Sequence, residues 1–202
     1  MKSVITESDI PAAGELVVAA GAIVTPSARD LARERGITVR ELPKGERPAG
    51  APPARTVAIG CDHGGLAMKR ALLAVLADLG LAAKDVGIHD EKPADYPDIA
   101  LAVARAITAG EASRGIVIDG AGIGSCMAAN KVAGIRAALC YDVATARNSR
   151  EHNDANVLTL GGRLLTDSQA ETVVRTWIAT KFAGGRHQAR VDKIMQIEST
   201  RS

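Results

Sequence analysis

From Thr56 onward the chain switches between two apolar periods. TVAIG (56–60) is a β-rich run ending in glycine, and Leu66 to Leu79 follows with helical periodicity, stopping at Gly80. LAAKDVG is a second, weaker strand. Pro97 opens the helix IALAVARAITA, closed by Gly110. GIVID (115–119) runs into the glycines of GAGIG and a helix of small residues through Lys131. GIRAALC (134–140), a helix from about Asp142, ANVLTLG (155–161) and a helix from Asp167 to Lys181 complete the series. Strands alternating with helices of this length predict an α/β, Rossmann-like, doubly wound sheet of five parallel strands. In such a sheet ligands bind outside the carboxyl ends of the strands.

Residues 1–42 carry a weaker pattern. Thr25-Pro26 is a helix start, an N-cap followed by proline at the first helical position. SARDLARERG then places Ala28, Leu31 and Ala32 on one side and ends at Gly36; ITVREL predicts a short strand. This segment is too short for a large core and reads as a small appendage. Residues 43–55 hold four of the eight prolines, with little apolar enough to pack, and predict a semi-extended linker. The third part, 56–202, is the sheet domain.

Composition narrows the function classes. The net charge of +2 and the 2% aromatic content lack the basic excess and stacking platforms of nucleic-acid binding. No apolar run spans a bilayer, and the amino terminus turns acidic before any signal-like core, so a cytoplasmic protein is expected. Cys61, Cys126 and Cys140 are odd in number and lack CxxC spacing, against a disulfide framework or structural zinc. Neither a cofactor nor a metal is expected.

The reactive residues sit just after strands. Asp62 and His63 follow the first, where they can handle protons on a sugar hydroxyl or bind phosphate; a helix-capping Asp with an incidental His reads equally well. Asp119 ends the third strand, and Gly120, Ala121, Gly122, Ile123 and Gly124 follow as a loop whose N–H groups can cradle an oxyanion. The spacing is not that of a dinucleotide fingerprint. His152 and Asn153 precede the fifth strand and are expected to face the same cleft as Asp62 and Asp119. Arg186 and Arg190, at i and i+4, share a face if the stretch is helical, and two guanidinium groups can grip a phosphate.

In this order, VAIGCDHGG, DYPDIA, GAGIG, MAANKVAGIRAALC, REHNDANVLTLGGR and GGRHQARV resemble the ribose-5-phosphate isomerase B / galactose-6-phosphate isomerase family, over about Thr56 to Ile197. The resemblance implies metal-free aldose–ketose isomerisation of a sugar phosphate through a cis-enediolate. It also implies a homodimer, or a dimer of dimers, with active sites at the subunit interface. By motif position Asp62 and His63 meet the ring oxygen, hydroxyls and phosphate, and Tyr96 lines the site. His152 assists ring opening and Asn153 holds hydroxyls. Arg186, Arg190 and Arg163 bind phosphate, and Gly120 to Gly124 stabilise the enediolate. The family's loop often reads CGTG with the Cys as base; here it reads Asp119-Gly120-Ala121-Gly122. Where some members carry a Glu, this chain has Ser125. That leaves Asp119 and Cys126 as candidate bases, Asp119 favoured by its place at the strand end. A non-catalytic, sugar-phosphate-binding subunit is the alternative. GAIVTPSARDLARERGI resembles short stretches of bacterial microcompartment enzymes, which implies docking to a shell or a neighbouring enzyme.

Overall fold

The computed structural model describes residues 4–5, 7, 10–18, 23–41 and 56–199. The chain divides into two units, Met1–Ala51 and Pro52–Ser202, and the linker expected at 43–55 lies outside the described residues.

The first unit contains β1 (Val4–Ile5), β2 (Glu15–Val18), β3 (Ile23–Val24), α1 (Pro26–Glu34) and β4 (Thr38–Glu41). Helix α1 starts as its sequence directs: Thr25 Oγ1 accepts from the Ala28 N–H, and Pro26 follows the cap. Ala28 and Ala32 bury one face against Ile10 and Ile37. The three earlier strands were not expected. Each has two to four residues, too few for a period-2 signal. They exist because β1 pairs with β3 and β2 with β4, all in parallel, across intervals that local pattern does not encode. Since this unit has its own cluster, deleting residues 1–55 should leave the second unit folded, with unchanged melting temperature. Insoluble or less stable protein would show instead that the sheet domain depends on the leader.

The second unit contains β5 (Thr56–Cys61), α2 (Leu66–Asp78), β6 (Ala82–Asp85), α3 (Tyr96–Thr108) and β7 (Arg114–Asp119). It continues with α4 (Ile123–Ala129), β8 (Ala137–Leu139), α5 (Val143–Glu151), β9 (Val157–Gly161), α6 (Asp167–Ala179) and α7 (Gln188–Ser199). The five strands run parallel in the order β6-β5-β7-β9-β8. The doubly wound sheet is therefore present, and every strand and helix expected in this unit forms within a few residues of its predicted bounds.

Strand alternation splits the core. Ile59, Ile116, Ile118, Leu158 and Leu160 face α2 and α6, where Leu72, Leu76, Val173 and Trp177 are buried. The other face carries small residues: a Cβ on Gly60 would lie 2.6 Å from Ile99 Cγ2, and one on Gly115 2.4 Å from Val103 Cγ1. These gaps let α3 settle directly on the strands. Fully burying a Leu or Ile side chain stabilises by roughly 1.5–3 kcal/mol, so an aliphatic core suffices with almost no aromatic contribution.

The carboxyl-terminal arginines depart from expectation. Gly184 and Gly185 have φ of 63° and 53°, a left-handed backbone that no α-helix passes through. Gly185–His187 is instead a tight 3₁₀ turn, and α7 begins only at Gln188. Arg186 and Arg190 thus sit on different elements rather than on one helical face. Among the described residues no helix is long and apolar enough to cross a membrane.

Candidate active site

Three loops meet at the carboxyl ends of β5, β7 and β9. The Asp62 N–H bonds the Ile118 carbonyl, the Gly162 N–H bonds that of Asp119 at 2.7 Å, and the Arg163 N–H that of Gly120. Glycine makes this nesting possible. A Cβ on Gly64 would stand 3.3 Å from Gly120 Cα, and one on Gly162 2.6 Å from the Gly64 carbonyl oxygen. Tyr96, at the start of α3, lies over Gly124, whose Cβ would fall 2.4 Å from the ring. Tyr141, which the sequence reading did not nominate, donates from its hydroxyl to the Ala121 carbonyl at 2.9 Å. Asp62, Tyr96, the 120–124 loop and Arg163 therefore line one place.

The two aspartates of this place have different tasks. Asp119, 4% exposed, turns inward. Its Oδ1 accepts from the N–H groups of Ala121 (2.8 Å) and Gly122, and its Oδ2 from that of Ser125 (2.9 Å). A carboxylate spent on three bonds within its own loop shapes that loop; it does not reach outward as the expected base does. The same bonds correct the expected oxyanion cradle, because the Ala121 and Gly122 donors are already used. Ile123 and Gly124, the first residues of α4, keep N–H groups with no intrahelical acceptor. Asp62 is also buried, but its Oδ1 accepts only from the Gly64 N–H at 2.8 Å. Among the described residues nothing donates to its Oδ2. Desolvation pushes its pKa above the ordinary carboxylate value, and the Asp119 charge adds to this. The Gly64 bond and the charges of His63 and Arg163 oppose it.

Neither cysteine near the sheet ends is poised as a nucleophile or base. Burial pushes the Cys61 thiol up to about 11. Cys126, half-buried, is also raised by burial, and its thiol donates to the Ala137 carbonyl of β8 at 3.5 Å rather than facing Asp62. The expectation of Cys126 as an alternative base meets the wrong orientation and the wrong protonation state.

A second cluster lies elsewhere. Helix α5 runs back from the carboxyl end of β8, so its last turn arrives where β9 and β7 begin: Asn156 bonds Arg136, and the Gly115 N–H bonds Asn156. His152 and Asn153 are therefore at the amino ends of the strands, whereas Asp119 pairs with Gly161 at the carboxyl ends. Four residue steps between Gly115 and Asp119 put about 13 Å of strand between the two levels. The expectation that His152 and Asn153 share a cleft with Asp62 and Asp119 thus fails within one chain. What His152 does meet is the arginine turn. The Ala183 N–H bonds the Glu151 carbonyl, and the His187 ring stacks on His152 with centroids 4.2 Å apart. Arg150 and Arg136 grip Asp154, which has φ of 45°, at 2.7 and 3.1 Å and hold the intervening turn in shape.

Carboxylate, loop donors and a guanidinium at the carboxyl end of an open parallel sheet define an α/β enzyme of the doubly wound class, built for proton handling on a small polar substrate. The chain belongs to the Ribose/Galactose Isomerase family, whose model matches residues 57–194. It is 42% identical over 148 residues to ribose-5-phosphate isomerase B of Escherichia coli strain K12, covering 73% of this chain and 99% of that one. It is 38% identical over 145 residues to D-erythrulose-4-phosphate isomerase of Pectobacterium atrosepticum, covering 71% and 95%. The solved structure of Clostridium thermocellum ribose-5-phosphate isomerase B superimposes with a TM-score of 0.71 at 49% identity, covering 73% and 99%.

Proposed function

We propose that this chain interconverts the aldose and ketose forms of a small sugar phosphate, ribose 5-phosphate foremost, in a site completed by a second copy. The observation that carries the reading is Asp62: a buried carboxylate of raised pKa with one oxygen unused, beside a loop still offering two N–H groups. A raised pKa moves such a carboxylate in the direction a general base needs, and the uncovered oxygen is the one free to take a proton. Asp62 takes the proton from C2 of the open-chain aldose. The electron pair forms the C1–C2 double bond, and the C1 oxygen becomes the enediolate oxygen, held by the Ile123 and Gly124 donors. Transfer of the O2 proton to O1 and return of a proton to C1 give the ketose. Asp119 contributes by holding the loop.

Ring opening and phosphate binding fall to the other cluster, which one chain places too far away. Exposed Ile123 and Met127 on α4, with Leu164 beside Arg163, form an apolar margin around the Asp62 loops that suits a second copy. In this reading His152 of that copy donates to the ring oxygen, and its Arg186 and Arg190 take the phosphate with Arg163. The tetrose relative keeps four-carbon substrates in contention. The leading unit serves docking, as its likeness to microcompartment enzymes suggests.

The test is a panel of phosphorylated aldoses and ketoses in deuterated water. Interconversion with deuterium entering at C1 of the ketose is expected, with ribose 5-phosphate giving the highest kcat/KM. Arg186→Ala and Arg190→Ala should each raise KM at least tenfold and also lower kcat, because phosphate binding energy positions the reacting carbons. Phosphate binding without any turnover would favour a binding subunit.

A further inference from the structure

We infer that Asn148 is a positioning residue that presents His152 as the neutral Nε2–H tautomer, with His187 stacked behind it as a neutral backing ring. The inference rests on the reading of His152 as the ring-opening donor. It begins from an amide that can be oriented. Asn153 Nδ2 donates to Asn148 Oδ1 at 3.4 Å, so the Asn148 oxygen faces Asn153 and its Nδ2 faces His152. That Nδ2 lies 2.9 Å from His152 Nδ1. An amide nitrogen only donates, so Nδ1 must accept, and the ring proton is left on Nε2. Asn148 and His152 are four residues apart at the end of α5, which puts both side chains on one face.

The stacked partner follows the same logic. Arg186 Nε donates to His187 Nε2 at 3.4 Å, so this nitrogen also accepts and His187 carries its proton on Nδ1. The two planes are 5° apart, close to parallel. Desolvation lowers the His187 pKa, with His152, Arg186 and Arg190 acting in the same direction and Glu151 opposing. The charged groups around the pair are Arg147 and Glu151 on α5, Arg186 on the turn and Arg190 on α7. Three cations against one carboxylate disfavour a positive charge on the His187 ring. A neutral Nε2–H imidazole is a hydrogen-bond donor that can release its proton to a sugar ring oxygen as the C1–O bond breaks, and take the O1 proton in return as the C1 carbonyl forms. The opposite tautomer would present a lone pair to an oxygen and repel it.

The test reads the tautomer directly. The chain has four histidines, so ¹⁵N-imidazole correlation spectra of the full-length protein can be assigned by single substitutions. At pH 7.5 His152 should show an Nε2–H pattern. In Asn148→Asp the carboxylate accepts from Nδ1–H instead, and the pattern should become that of the Nδ1–H tautomer or the imidazolium. Asn148→Leu, which keeps a good helix former on α5, should leave a mixture. For isomerisation, Asn148→Asp should add an alkaline limb to the kcat/KM profile that wild type lacks, because the variant's neutral ring carries the proton on Nδ1 and offers no Nε2–H. On that side kcat should fall at least tenfold, with KM little changed. A wild-type Nδ1–H pattern, or spectra of Asn148→Asp identical to wild type, would overturn the inference. So would the expected tautomers with unchanged kinetics in Asn148→Asp. Were the wild-type chain to turn over no sugar phosphate, the functional reading would fall while the spectra still answered for the tautomer.

Discussion

Asp62→Asn and His152→Gln should each be nearly inactive alone, yet together in one heterodimer they should restore turnover. The two residues belong to clusters at opposite levels of one sheet, so an active site containing both draws them from different copies. In a two-fold dimer with one variant per subunit, one site carries both substitutions and the other carries neither. Random pairing gives half heterodimers, each with one intact site, so the mixture recovers about a quarter of wild-type activity. Each variant alone loses a factor on the order of 10² or more. The measurement is kcat/KM of co-expressed, differently tagged subunits after tandem purification, with heterodimer confirmed by native mass spectrometry. Purified heterodimer no more active than the single variants would mean that both residues act from one chain, or that neither is in the site.

Asp62→Asn should also make the protein more stable while disabling it. A carboxyl whose folded pKa is raised holds its proton where the unfolded chain has already released it. Stability therefore falls as pH rises through the interval above the ordinary carboxylate value. At neutral pH the native state carries a buried negative charge beside Asp119. The amide removes that charge and can still accept from the Gly64 N–H. A rise in melting temperature on the order of 2 °C is expected at pH 7, shrinking towards zero as pH falls below about 4. Over the same range kcat should fall by a factor on the order of 10²–10³. Lost stability at pH 7 would mean that the carboxylate is a structural anchor. Asp119→Asn is the contrasting case: an NH₂ group replaces one acceptor facing the loop's own N–H groups, so stability and activity should fall together.

Much of the sheet domain was legible because its signals are short-range. The β-rich runs TVAIG, GIVID and ANVLTLG and the helical period after Leu66 and Pro97 depend on neighbours within a few residues. Their parallel order followed from the strand–helix alternation. So did the attention to residues just after strands, and Asp62 and the Asp119 loop lie there. The first three strands of the leading unit were not legible. Val4–Ile5 owes its state wholly to pairing with Ile23–Val24.

The roles within the site divide along the same line. Residue types and motif order, local and one-dimensional, were enough to nominate Asp62, His152, Arg186 and Arg190 as the chemistry of a sugar-phosphate enzyme. Three-dimensional packing decided which carboxylate is spent and which is available. Asp119 and Asp62 look alike along the chain, but only folding brings the Ala121, Gly122 and Ser125 donors onto one and leaves an oxygen of the other uncovered. Folding likewise sent His152 to the far end of the sheet, since a helix returning from β8 must end where β9 begins. It also brought Asn148 onto the His152 ring and His187 behind it. Periodicity reports which face of an element is buried. Where a side chain's hydrogen bonds go, and which end of a sheet a loop occupies, depend on partners distant in sequence.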